Sequence, residues 1–295
     1  MLQEYNNCHL CPRECGVNRN QNEKGFCGET SDIMVGRADL HFWEEPCISG
    51  ENGSGTVFFA GCSLGCVYCQ NHQLSRGEKG VKTTEDELSD MFLQLQNKGA
   101  HNINLVTAEH FAPGVRNAII KAKENGMTIP VILNSSGYVK ESTIDYMSDV
   151  IDIYLVDFKY MDSILAKKYS YAEDYPSVAK RAIERMFEYK NELRFGEDDM
   201  LKEGIIIRHL CIPGHIQDTK EVIEYLYGKY KDNVKLSIMS QYTPMPECEK
   251  YPEINRKLTE TEYENIIDFC LSLGIEDAYI QEGDAAQESF IPEFR

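Results

Sequence analysis

From residue 54 onward the chain alternates short apolar, β-branched runs with segments of helical period. The runs are "TVFF" at 56, "INLVT" at 103, "IPVIL" at 129, "IDIYLVD" at 151, "GIIIRHL" at 204, "VKLSIM" at 234 and a weaker "AYIQ" at 278. Such runs read as strands buried on both faces, as in a parallel sheet covered by helices. The intervening segments carry helix signals. Thr84 and Glu87 form a capping-box signature, Leu88, Met91, Phe92 and Leu95 follow at i, i+3, i+4 and i+7, and Gly99 ends the run. "APGVRNAIIKAKENG" places Pro113 near a helix start and Gly126 at its end. Further helices are expected at about 174–190, 217–230 and 259–273. Repeated βα units give an α/β fold, either an open doubly wound sheet or a barrel. In both, ligands gather at the carboxyl ends of the strands.

Residues 1–50 differ. Turn-prone stretches such as "NRNQNEKG" and little apolar periodicity mark an irregular N-terminal segment ahead of a regular body at 51–295. A metal is a plausible substitute for a core there. The 295 residues carry a formal net charge of −18, with basic residues scattered among acidic ones, which argues against a nucleic-acid or anionic-membrane surface. "MLQEYNN" has no basic segment followed by an apolar one, and no apolar run nears the ~18 residues of a membrane span. The expectation is a soluble, cytoplasmic protein.

In a reducing compartment, clustered cysteines read as metal ligands rather than disulfides. Seven of the eleven form two clusters: Cys8, Cys11, Cys15 and Cys27, then Cys62, Cys66 and Cys69. Cys47, Cys211, Cys248 and Cys270 stand alone and read as small apolar residues. The first cluster has four ligands, which predicts a closed tetrahedral centre, with zinc and an iron–sulfur cluster both compatible. The triplet directly follows the first body strand. Three thiolates can hold a cubane [4Fe–4S] cluster by three irons, leaving the fourth open, as a catalytic metal centre requires. The competing readings are a loop of buried cysteines or a zinc site completed by His72.

C-x-x-x-C-x-x-C with Tyr68 before the last cysteine, after the first strand of a βα series, resembles the signature of radical S-adenosylmethionine (SAM) enzymes. The flanking "GSGTVFFAGCSLGCVYCQNHQLSRG" more closely resembles the branch of homologues of pyruvate formate-lyase activating enzyme that carries a four-cysteine head. The resemblance implies a partial (β/α)6 TIM-like barrel with a cysteine-rich N-terminal extension. It also implies an open iron chelated by SAM, and reductive cleavage to a 5′-deoxyadenosyl radical, a chemistry supplied by cofactors. A reductant such as flavodoxin or ferredoxin is implied as well.

The same resemblance assigns residues at the strand ends. "VTAEHFAP" replaces the family's Gly-Gly-Glu turn, which binds the amino group of SAM; Thr107 and Glu109 are the candidates, with His110 beside them. Asn134 and Ser135 match a polar pair, and Asp157 and Lys159 match an Asp-x-Lys motif. In the family the Lys faces the SAM carboxylate, and the Asp with the polar pair holds a monovalent cation. Arg208 matches an arginine suited to a carboxylate or ribose. His209 points to the opposite face and reads as a packing residue. Ser240, Gln241 and Tyr242 are candidates for substrate contact, and Gln281 and Glu282 carry no assignment. The activity implied first is hydrogen abstraction from a glycine of a partner glycyl radical enzyme. The alternatives are radical modification of another peptide or small molecule, or a non-catalytic iron–sulfur electron carrier.

Overall fold

The computed structural model describes residues 2–77 and 79–280. In chain order its strands are β1 (Ile33–His41), β2 (Ser54–Phe59), β3 (Val81–Thr83), β4 (Ile103–Val106), β5 (Val131–Ser135), β6 (Ile153–Asp157), β7 (Arg194–Phe195), β8 (Leu201–Leu210), β9 (Lys235–Met239) and β10 (Ala278–Ile280). Its helices are α1 (Pro46–Ser49), α2 (His72–Ser75), α3 (Glu85–Asn97), α4 (Ala112–Glu124), α5 (Glu141–Met147), α6 (Ser163–Ser170), α7 (Tyr175–Tyr189), α8 (Ile216–Tyr230) and α9 (Glu260–Ser272). Gln281 and Glu282 lie outside the described residues.

The central sheet has the order β10-β9-β8-β6-β5-β4-β2-β1-β3, with β7 paired to β8 alone. From β2 through β10 every pairing along this order is parallel. The sheet does not close on itself, so the α/β architecture is a partial barrel. β2, β5 and β9 are buried along their whole length, which is why their sequences are apolar without alternation.

The helix signals act locally as expected. The Thr84 hydroxyl accepts from the Glu87 N–H at 3.2 Å, and the Glu87 carboxylate accepts from the Thr84 N–H at 2.8 Å. Leu88, Phe92 and Leu95 are buried from α3 into the core, each contributing about 1.5–3 kcal/mol. Cys47, Cys211, Cys248 and Cys270 are buried small residues, as read from their isolation. Among the described residues, no helix is long and apolar enough to cross a membrane.

The irregular reading of residues 1–50 missed β1. This strand runs antiparallel to β2 and carries β3 on its other edge. Its sequence, "IMVGRADLH", mixes Gly36, Arg37 and Asp39 into the apolar positions, and its second half is only partly buried. Pairing on both edges, rather than amphipathic pattern, therefore holds it. Ahead of β1, a buried arginine takes the place of an apolar core. Arg19 is 1% exposed; it donates to the carbonyl oxygens of Thr30, at 3.0 and 2.6 Å, and of His110, and its guanidinium rests 4.5 Å from the Tyr5 ring centroid.

Candidate active site

The parallel strands deliver their carboxyl ends to one cavity of about 260 Å³. Cys62, Cys66, Tyr68 and Cys69 line it from the loop after β2, Thr107 from the end of β4, and Asn134 and Ser135 from β5. Asp157 and Lys159 enter from β6 and Arg208 from β8. Residues as distant in sequence as Cys62 and Arg208 are thus brought together. Glu109 does not line the cavity but is buried next to it: its carboxyl accepts from the hydroxyl of Ser135, a lining residue, and interacts with Asp157, while burial raises its pKa.

The polar wall is a closed network. Asp157 accepts from Lys159 Nζ at 2.6 Å and from Arg208 Nε at 2.9 Å. Arg208 also donates to Asn134 Oδ1 at 2.7 Å and to Glu44 Oε2 at 2.9 Å. The other oxygen of Glu44 accepts from Asn104 at 3.1 Å and Asn134 at 3.4 Å. Burial opposes the Asp157 charge, but Lys159 and Arg208 outweigh it and hold the carboxyl below its usual range. Burial likewise opposes the charge on Lys159, and Asp157 and Cys66 outweigh it, so its pKa is raised. Asp157 and Glu44 thus pair with Lys159 and Arg208, and the buried Glu45 carboxyl lies within the field of the same Arg208.

Glu44 was missed by sequence reading, as was Trp43, which edges the same cavity. Both lie between β1 and α1. The available signal was "FWEEP", an acidic pair beside exposed aromatics directly before a helix-starting proline. Of the substrate-contact candidates, Gln241 lines the cavity, whereas Tyr242 is buried beneath it and donates to the Ile254 carbonyl at 2.8 Å. His110 and His209 are buried and neutral: burial lowers their pKa values to about 3 and about 4. They bond to the carbonyls of Ala60 and Phe158, so both are packing residues.

Thr107 has φ +59°, and of the described non-glycine residues at positive φ it alone is β-branched. Such a conformation costs of order 1–3 kcal/mol. It falls immediately after β4, at a position that lines the cavity. Gly61, just before the triplet, has φ +79°, and a Cβ there would meet Glu29 Cγ at 2.4 Å and the Cys27 carbonyl at 2.7 Å. The four-cysteine segment therefore abuts the triplet loop. Arg13 fastens the two: it donates to Ser63 O at 2.9 Å and Tyr171 O at 2.7 Å, and its guanidinium stacks 3.8 Å from the Phe26 centroid.

The thiols of the triplet suit an iron–sulfur cluster. Burial raises the pKa of Cys62, and Cys66 and Cys69 raise it further by charge repulsion; burial and Cys66 do the same to Cys69. Neighbouring thiols of this kind are held together as thiolates by a cationic partner. Among the described residues, no three Cys, His, Asp or Glu side chains converge as for a single ion, in the triplet or in the four-cysteine segment.

Residues 56–226 match the radical SAM superfamily. The chain belongs to that superfamily. Membership of the radical SAM superfamily brings with it a [4Fe–4S] cluster and cleavage of SAM by a radical mechanism. Along 93% of its length the radical SAM chain is 28% identical to an uncharacterized protein of Methanocaldococcus jannaschii, over 282 residues and 77% of that protein. Among solved structures it is similar to HydG, a maturase of the [FeFe]-hydrogenase (TM-score 0.52, 11% identity, 80% of this chain and 54% of that one). It is also similar to Streptococcus suis SuiB bound to precursor peptide SuiA (TM-score 0.50, 14% identity, 76% and 47%). The radical SAM chain spans about half the length of these two solved proteins, and identities this low show a shared fold.

Proposed function

We propose that this radical SAM protein resembles pyruvate formate-lyase activating enzyme in action, abstracting hydrogen from a backbone glycine of a partner glycyl radical enzyme. The observation that carries the reading is the convergence of Asp157-x-Lys159, Asn134-Ser135 and Arg208 on the cavity that Cys62, Cys66 and Cys69 line. In this reading the three cysteines hold the [4Fe–4S] cluster, and reductive cleavage of SAM there supplies the 5′-deoxyadenosyl radical. Lys159 faces the SAM carboxylate, Asp157 with Asn134 and Ser135 holds a monovalent cation, and Arg208 meets a carboxylate or ribose. Tyr68 and Thr107 complete the cofactor wall, and a flavodoxin or ferredoxin supplies the electron. The exposed Trp43 at the cavity suits a polypeptide substrate.

Residues 1–50 serve in this reading as a metal-binding head on the body at 51–295. Cys8, Cys11, Cys15 and Cys27 hold zinc or a second iron–sulfur cluster. Burial, with crowding by Cys27, Cys15 and Cys8, pushes the Cys11 thiol up to about 12, a state that a cationic centre would reverse.

A second reading, radical modification of another peptide or small molecule, is favoured by the turn after β4. Thr107 takes the left-handed region there and Glu109 meets the cavity through the Ser135 hydroxyl, in place of the Gly-Gly-Glu turn of activating enzymes. An electron carrier, by contrast, has no use for a buried network of two carboxylates and two cations around a cavity.

The test begins with iron and sulfide counts on anaerobically purified protein. Reduction in the presence of SAM is then followed by 5′-deoxyadenosine release. No deoxyadenosine from a fully loaded cluster would rule out both enzyme readings. Product without a glycyl radical on a co-purified partner would rule out the first alone.

A further inference from the structure

Ser170 ends α6, where a serine hydroxyl commonly bonds back to a helix carbonyl. Here it faces elsewhere. Its Oγ lies 2.9 Å from Cys66 Sγ and 2.8 Å from the Tyr160 hydroxyl, which lies 2.6 Å from the Tyr68 hydroxyl. Ser170 and Tyr160 are fully buried and Tyr68 is 6% exposed, so no bulk water competes for these groups.

Counting protons fixes the direction of every bond. A cysteine holding iron is a thiolate and can only accept, so Ser170 donates to Cys66. The Ser170 oxygen then accepts from Tyr160. With its single proton committed, Tyr160 accepts from Tyr68. The chain of hydroxyls therefore points from the cavity wall to one cluster sulfur, and each bond polarises the next.

We propose that Ser170, backed by Tyr160 and Tyr68, is a positioning residue that sets the reduction potential of the [4Fe–4S] cluster. Reduction adds one negative charge to the cluster, and hydrogen bonds to its sulfurs stabilise the more negative state. The chain thus makes the cluster easier to reduce, which eases the electron transfer on which SAM cleavage depends. The inference rests on the triplet holding the cluster and on no particular substrate.

The backbone around Ser170 is fixed from two sides. Val67 N–H donates to Tyr169 O at 2.9 Å, tying the triplet loop to α6, and Arg13 donates to the Tyr171 carbonyl at 2.7 Å. Tyr171 itself closes the helix in the left-handed region at φ +53°. The hydroxyl is therefore held in place by contacts that a Ser170→Ala change leaves intact.

The experiment is an EPR-monitored redox titration of the full-length reconstituted protein, with iron and sulfide counted on every sample. Ser170→Ala should retain the cluster and show a ratio of reduced to oxidised cluster about tenfold lower at a fixed poise, equivalent to a midpoint about 59 mV more negative. Ser170→Thr, which keeps the hydroxyl, should return the midpoint toward wild type. Tyr160→Phe should shift it in the same direction by less, because Ser170 still donates. An unchanged midpoint in a fully loaded Ser170→Ala protein would overturn the proposal. Should that variant fail to hold its cluster, an unchanged midpoint in Tyr160→Phe would do so instead. Wild-type protein that takes up no iron would overturn the cluster assignment itself, and the proposal with it.

Discussion

Replacing Asp157 with Asn isolates the electrostatics of the cavity wall from its shape. Asp157 stands between Lys159 at 2.6 Å and Arg208 at 2.9 Å, and the three side chains are 17%, 15% and 14% exposed, so solvent screens their interactions little. Removing one member of a buried ion pair costs about 3–5 kcal/mol, because the partner charge remains buried. Arg208 keeps Glu44 at 2.9 Å, so only Lys159 loses its carboxylate, which points to the lower end, about 3 kcal/mol. For a chain of this size that corresponds to a fall in Tm of roughly 6–12 °C at pH 7. The pH dependence has a definite sign. The folded-state pKa of Asp157 is depressed, so its contribution is present above the unfolded carboxylate value and is lost as pH falls through the folded one. Anaerobic thermal melts of wild type and Asp157→Asn, run side by side from pH 7 downward, should therefore converge in acid. Equal Tm values at pH 7, or a gap that persists below the folded pKa, would refute the reasoning.

Other perturbations reach other parts of the molecule. Gly61→Ala forces a Cβ into the Cys27 carbonyl and Glu29 at a left-handed φ, and should lower both Tm and the iron bound by the triplet, read by melts and iron assay. Cys66→Ala should abolish 5′-deoxyadenosine formation, whereas Cys15→Ser should leave the cluster at the triplet, as seen in its EPR signal. Phe92→Ala, in the core beneath α3, should cost about 3–5 kcal/mol in chemical denaturation without changing the cluster spectrum.

Much of this architecture is legible in the residues because parallel strands are buried on both faces and the helices between them carry local caps. The apolar runs at 56, 103, 129, 151, 204 and 234 coincide with strands, and Thr84 caps α3 as its spacing implied. The cavity residues are legible for a related reason: each stands at or just beyond a strand end, and the strand ends share one rim. What stayed hidden depends on contacts between distant segments. Glu44 meets Arg208 across 164 residues and Ser170 meets Cys66 across 104, and no local pattern encodes either pairing. Glu109 illustrates the converse. It follows a strand end in sequence, yet it does not line the cavity and touches it through the Ser135 hydroxyl, a contact between separate segments that no local pattern encodes.

Arg13 joins loops that are 50 and 158 residues away from it, and so ties two folding events into one equilibrium. Any ion that binds the folded four-cysteine segment more tightly than the unfolded one adds RT ln(1 + [L]/Kd) to the docked arrangement, including the loop that presents Cys62, Cys66 and Cys69. The linkage would run both ways, so an ion held by the segment would tighten the docked triplet loop without being required for the triplet to hold its cluster.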